Sequence, residues 1–210
     1  MKVAILAASG KAGISLVQEA LKREMQVSAF VRNKEKIHFD KKVMVIQKDI
    51  FDLKTSDLKE FDVIIDAFGE WENLSLHKKH LEYLANILQG QKSKLLIVGG
   101  AGSLYMDKKH TMMLMDTPEF PKEYLPIANA MKEGLEFLRT QKSINWIYVS
   151  PAAIFLPEAP QTNKYKIIGE EFEVNANNES QVSYKDYASA LFDIAQSPNY
   201  SQQRIGVIGI

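Results

Sequence analysis

The chain has 210 residues, enough for one good core, and its 26 basic and 26 acidic residues cancel. That balance excludes the strong field of a nucleic-acid or membrane-surface binder. The absence of cysteine excludes disulfides, thiolate metal sites and a cysteine nucleophile, and no segment approaches the roughly 18 apolar residues that span a bilayer. A soluble protein of the cytoplasm is expected, as a monomer or small homo-oligomer. The short apolar run behind Met1-Lys2 leads straight into a glycine turn, so it reads as structure and not as a secretion signal.

Val3-Ala4-Ile5-Leu6-Ala7 is a near-continuous apolar run, the pattern of a buried parallel strand. It meets Ala8-Ser9-Gly10-Lys11-Ala12-Gly13 and then a helix to about Glu24, with Ala12, Leu16, Val17, Ala20 and Leu21 on one face. Gly10 and Gly13 permit a sharp turn and close approach, and the new helix offers free N–H groups and its positive dipole end. A pyrophosphate fits such a cradle. The usual first glycine is replaced by Ala7, a change compatible with ordinary backbone angles there.

Gln26 to Val31 reads as the second strand and ends at Arg32-Asn33-Lys34. An acidic residue at this register would bond a ribose 2′-hydroxyl, whereas an arginine meets a 2′-phosphate. NADP(H) is therefore favoured over NAD(H). Val43 to Gln47 is the third strand, with Asp49 and Ile50 after it as candidates to touch the adenine; Asp49 fits a capping carboxylate equally well. The fourth strand, Val63 to Ala67, ends at Ala67-Phe68-Gly69, on the edge where open α/β sheets bind ligands.

Asn73 to Leu88 has helical spacing and carries His77 and His80. With no third ligand evident and lysines between them, they read as an exposed helix face, and no metal is assigned. Lys94 to Val98 is a fifth strand, whose Gly99 and Gly100 would let a flat coenzyme pass close to the backbone. Leu104 to Glu119 is irregular, and its Met112 to Met115 run reads either as a cover over a planar substrate or as a flap tucked on the core. A helix near Ile127 to Gln141 follows a proline-punctuated approach. Asn145 to Ser150 is the sixth strand, ending in Pro151-Ala152-Ala153. Tyr184 to Gln196 is a helix, and Arg204 to Ile210 closes the chain as a strand.

Val3 to Gly13, Val31-Arg32-Asn33, Lys48-Asp49-Ile50, Ala67-Phe68-Gly69, Val98 to Leu104, Asp116 to Pro121 and Ser150-Pro151-Ala152 together resemble the atypical short-chain dehydrogenase/reductase family of NAD(P)H-binding proteins. Within it they are similar to the NmrA-like and biliverdin-reductase-B-like group, including bacterial NADH-flavin reductases. The resemblance implies an α/β Rossmann fold: a doubly wound, mostly parallel sheet with a small C-terminal substrate-side extension. It implies a single NAD(P)-binding domain over residues 1–210, with 151–210 supplying the substrate side of the cleft. It also implies Ser9 to Gly13 on the pyrophosphate, Arg32 on the 2′-phosphate, and Ser150, Pro151, Ala152 and Ala153 near the nicotinamide.

Family members that oxidise alcohols use a Tyr-x-x-x-Lys pair, whose lysine lowers the tyrosine pKa. Here Tyr124 stands at the tyrosine position, the one catalytic candidate, but Ala128 stands at the lysine position. Ala101 lies near the place of the carbonyl-polarising serine. Hydride transfer to a flavin or quinone asks for less, because the acceptor's own heteroatoms take protons from water. A reductase of such a planar acceptor is expected, with a non-catalytic redox sensor as the alternative and a nucleotide-sugar epimerase or dehydratase third.

Overall fold

Along β1 (Lys2–Leu6) the side chains alternate between two cores, Val3 and Ile5 entering one and Ala4 and Leu6 the other. That two-sided burial is what a central parallel strand requires. In the computed structural model, which describes residues 1–210, the remaining elements follow from β1 outward. They are α1 (Lys11–Lys22), β2 (Gln26–Val31), β3 (Met44–Gln47), the single-turn α2 (Thr55–Leu58), β4 (Val63–Asp66), α3 (Leu76–Ile87), β5 (Lys94–Val98) and α4 (Leu125–Thr140). After them come β6 (Asn145–Ser150), β7 (Ile154–Leu156), β8 (Tyr165–Ile168), β9 (Gln181–Ser183), α5 (Tyr184–Gln196) and β10 (Gln203–Gly209).

Eight strands form one sheet in the order β3-β2-β1-β4-β5-β6-β10-β8, parallel except for the antiparallel β8–β10 pair, while β7 and β9 form a parallel pair of their own. This is the doubly wound Rossmann arrangement. Helices α1 and α5 cover one face with Leu16, Val17, Leu191 and Phe192; α3 and α4 cover the other with Leu81, Leu84, Leu135 and Leu138. The strand order reverses between β1 and β4, so the crevice opens where their carboxyl ends diverge. No helix is long and apolar enough to cross a membrane.

Two expectations change, at Ala7 and at the two histidines of α3, and two further segments acquire a structure that the sequence had left open. The backbone at Ala7 is not ordinary: its φ is +53°, a left-handed turn that an L-residue with a Cβ occupies at a cost. Glycine there removes that cost but gives back unfolded-state entropy. Ala7→Gly should therefore stabilise the chain by about 0.5–1 kcal/mol, raising Tm by about 1–4 °C. A thermal melt followed by circular dichroism that showed no rise would refute the strain.

His77 and His80 are buried, not exposed. The lysines between them sit on the outer side of α3, but the helix turns both imidazoles inward. Thr55–Leu58, unmarked by any periodicity, makes one helical turn because its Asp57 carboxylate accepts the Lys54 N–H at 2.7 Å. The stretch 104–120 is stitched together. The Leu114 N–H donates to the Leu104 carbonyl and the Met106 N–H to the Met112 carbonyl, both at 2.8 Å, while the Asp107 carboxylate takes the N–H groups of Thr111 and Met112. Met115 is buried and Met112 exposed, so one end of the methionine run is a tucked flap and the other faces outward.

Candidate functional site

Gly10 caps α1 with an extended backbone and no side-chain hydrogen bond, and no acidic residue stands in the first turn. The first intrahelical bond runs from the Ile14 N–H to the Gly10 carbonyl at 2.9 Å. The N–H groups of Lys11, Ala12 and Gly13 are thus left without intrahelical acceptors. Ser9, Gly10 and Lys11 are exposed, whereas Ala8 and Gly13 are buried. A donor-rich helix start that no carboxylate or hydroxyl of the chain fills fits a bridging diphosphate.

The two glycines of this loop do different work. A Cβ on Gly13 would fall 2.7 Å from the Cα and carbonyl oxygen of Ala8, whereas one on Gly10 would meet only the Ala7 carbonyl at 3.5 Å. Gly13 lets α1 lie against the end of β1; Gly10 leaves the loop's outer side open.

The second glycine cluster is required by the packing of the chain itself. A Cβ at Gly99 would enter the Tyr148 ring at 2.2 Å, one at Gly100 would meet the Met131 sulfur at 2.9 Å, and one at Gly102 would meet the Ala128 methyl at 2.8 Å. These positions lack side chains because the chain's own Tyr148 and α4 occupy the space. Tyr148 is fully buried and its hydroxyl accepts the Gly100 N–H at 3.1 Å; burial pushes that phenol up to about 12. It remains protonated across the physiological range and serves as a strut.

Arg32 is exposed just past β2. Across the crevice mouth, the backbone N–H groups of Glu72, Asn73 and Trp71, helped by the Arg32 guanidinium, hold the Glu70 carboxyl below the usual carboxylate range. Asp49 caps the turn Ile50–Asp52 by accepting the Phe51 N–H at 2.9 Å, and Ile50 is buried. Ala67 and Phe68 are half-buried, and around Gly69 no protein atom lies within 4 Å of where a Cβ would stand. At the end of β6, Ser150, Pro151 and Ala152 are buried while Ala153 is exposed. The Ser150 hydroxyl has no partner within the protein.

Tyr124 lies half exposed at the start of α4, and Ala128 one turn on is buried against Gly102. The position one turn past Tyr124 thus carries a methyl and no amine. Sequence spacing missed the pair Asp66 and His80, both almost fully buried at the crevice, with Asp66 Oδ2 and His80 Nε2 2.8 Å apart. The final residue of an apolar strand being an aspartate was the available signal.

The sequence pattern described as NAD(P)H-binding matches residues 7–198. The chain belongs to the NAD(P)H-binding family. Its coenzyme is accordingly a nicotinamide dinucleotide, and its fold is that of the family's oxidoreductases within the atypical short-chain dehydrogenase/reductase group. The Bacillus subtilis protein YwnB is 43% identical over 210 residues, covering 99% of this chain and 98% of its own length. A Streptococcus pneumoniae structure described as a candidate NADH-flavin reductase is 42% identical, with a TM-score of 0.95 over 100% of both chains. A Bacteroides thetaiotaomicron candidate epimerase is 31% identical, with a TM-score of 0.85 over 100% of this chain and 97% of that one.

Proposed function

We propose that the chain is an NADPH-dependent reductase of a planar acceptor, a flavin such as flavin mononucleotide or a quinone. The observation that carries this reading is Ala128, buried one turn past Tyr124 with its methyl against Gly102: the position of a relay lysine holds no amine. Without that relay, alcohol oxidation and sugar epimerisation lose their acid and base. Reduction of a conjugated ring asks the protein mainly to hold two rings face to face.

In this reading residues 1–210 work as a single domain. The N–H groups of Lys11, Ala12 and Gly13, with Ala8, Ser9 and Gly10 around them, bind the pyrophosphate. Arg32 meets the 2′-phosphate, Asp49 and Ile50 border the adenine, and Ala67 to Gly69 with Gly99 and Gly100 line the middle of the crevice. Ser150 to Ala153 lie at the nicotinamide end, and 151–210 frame the acceptor. The bound coenzyme would supply a hydride, and the single proton that completes reduction of the acceptor ring would come from water. Met112, Tyr124 and Ile154, exposed by 42%, 50% and 53%, follow the carboxyl ends of β5 and β6 and offer apolar surface to an acceptor ring. The likeness to a candidate NADH-flavin reductase supports the same acceptor class.

Purified protein mixed with NADPH and excess flavin mononucleotide should consume NADPH faster than a protein-free control, read as loss of nicotinamide absorbance. A rate equal to the control, repeated with a quinone, would discard the reductase. Tight NADP(H) binding in that case would favour a redox sensor of the NmrA-like kind, which the missing relay also suits.

A further inference from the structure

His80 stands on α3 with Nδ1 2.8 Å from the Leu76 carbonyl oxygen and Nε2 2.8 Å from Asp66 Oδ2. A carbonyl only accepts, so Nδ1 carries a proton, and one further proton must lie in the hydrogen bond to Asp66. The other carboxylate oxygen, Oδ1, accepts the Phe68 N–H at 3.1 Å. Both residues are nearly inaccessible, at 1% and 3% exposure, so neither touches a ligand in the crevice.

What they do touch is the segment 67–70 that leaves β4. The Phe68 ring stacks on His80 with centroids 4.2 Å apart and meets His77 edge-on at 5.7 Å. His77 Nε2 donates to the Glu70 carbonyl at 2.8 Å, and burial keeps that imidazole neutral by pushing its pKa down. On the β1 side, the Ala67 N–H donates to the Leu6 carbonyl at 3.2 Å, one residue before the left-handed turn at Ala7. The segment is therefore tied to α3 from beneath and to the coenzyme loop from the side, with the Gly69 end open at the point where strand order reverses.

We infer that Asp66 and His80, backed by His77, are positioning residues that fix the segment 67–70 at the coenzyme crevice, so that coenzyme affinity depends on a hydrogen bond the coenzyme does not reach. This rests on the family's nicotinamide coenzyme and not on the flavin acceptor, and no acceptor enters its test. The geometry makes the hydrogen bond, rather than a negative charge, the essential element. An asparagine at 66 keeps both contacts, its amide oxygen taking the Phe68 N–H and its NH₂ donating to His80 Nε2.

The test measures the NADPH dissociation constant by fluorescence titration, and amide hydrogen exchange over 67–70, in the full chain. Asp66→Asn should stay within about threefold of the original chain, while Asp66→Leu should weaken binding by about tenfold or more and speed exchange in that segment. In the unsubstituted chain, added NADP⁺ should slow exchange at 67–70, a readout that holds whether or not the leucine variant folds. Leucine binding as tightly as aspartate, asparagine failing as badly as leucine, or exchange at 67–70 indifferent to NADP⁺ would each overturn the inference.

Discussion

Gly13→Ala is expected to lower Tm by about 5–10 °C, the effect of about 2–3 kcal/mol of overpacking in a chain of this size. The added methyl would sit 2.7 Å from the Ala8 Cα and carbonyl oxygen and 2.8 Å from the Ala7 carbonyl. Those are backbone atoms, and no side-chain rotamer can move them aside. Relief requires α1 to slide away from β1, which shifts the Lys11, Ala12 and Gly13 N–H groups and weakens coenzyme binding as well. Gly10→Ala is the control: the nearest atom to its methyl is the Ala7 carbonyl at 3.5 Å and its φ is −72°, so Tm should stay within about 2 °C. Melting curves for the two variants decide the matter. Equal melting of Gly13→Ala and the unsubstituted chain would show that the helix is not pinned as described.

Arg32→Ala should weaken NADPH binding by about 10- to 100-fold while leaving NADH within about twofold, because a charge-assisted hydrogen bond to phosphate contributes about 1.5–3 kcal/mol. The side chain is exposed past β2, so its loss leaves no cavity and the fold should be untouched. The two dissociation constants, measured on one preparation, separate a lost phosphate contact from general damage. Parallel losses for both coenzymes would place the 2′-phosphate elsewhere. The nearby Glu70, whose ionised form Arg32 helps to favour, is the residue that a dianionic 2′-phosphate would have to share this cation with.

The order of strands and helices was legible because its signals are local. Apolar runs such as Ile64-Ile65 and Leu95-Leu96, helical spacing on four long segments, and a glycine turn behind the first strand each declare themselves within a dozen residues. Pro126, which reads in the sequence as part of the approach to a helix from about Ile127, lies inside the first turn of α4, where proline is tolerated because no intrahelical donor is needed. The Tyr124 and Ala128 spacing was likewise readable, and it already argued against acid–base chemistry.

From the amino-acid order alone came the α/β alternation, the glycine turn behind β1, the arginine after β2 and the alanine at position 128, where a relay lysine would stand. Tertiary structure alone decided the rest: that Ala7 turns left-handed, that Gly99, Gly100 and Gly102 yield space to Tyr148 and α4, and that His77 and His80 face inward to meet Asp66. The reason is range. Backbone periodicity is set by neighbours three or four positions away, whereas the partner that makes a glycine necessary or a histidine buried lies far along the chain, as Tyr148 does from Gly99, and becomes a neighbour only once the sheet has closed.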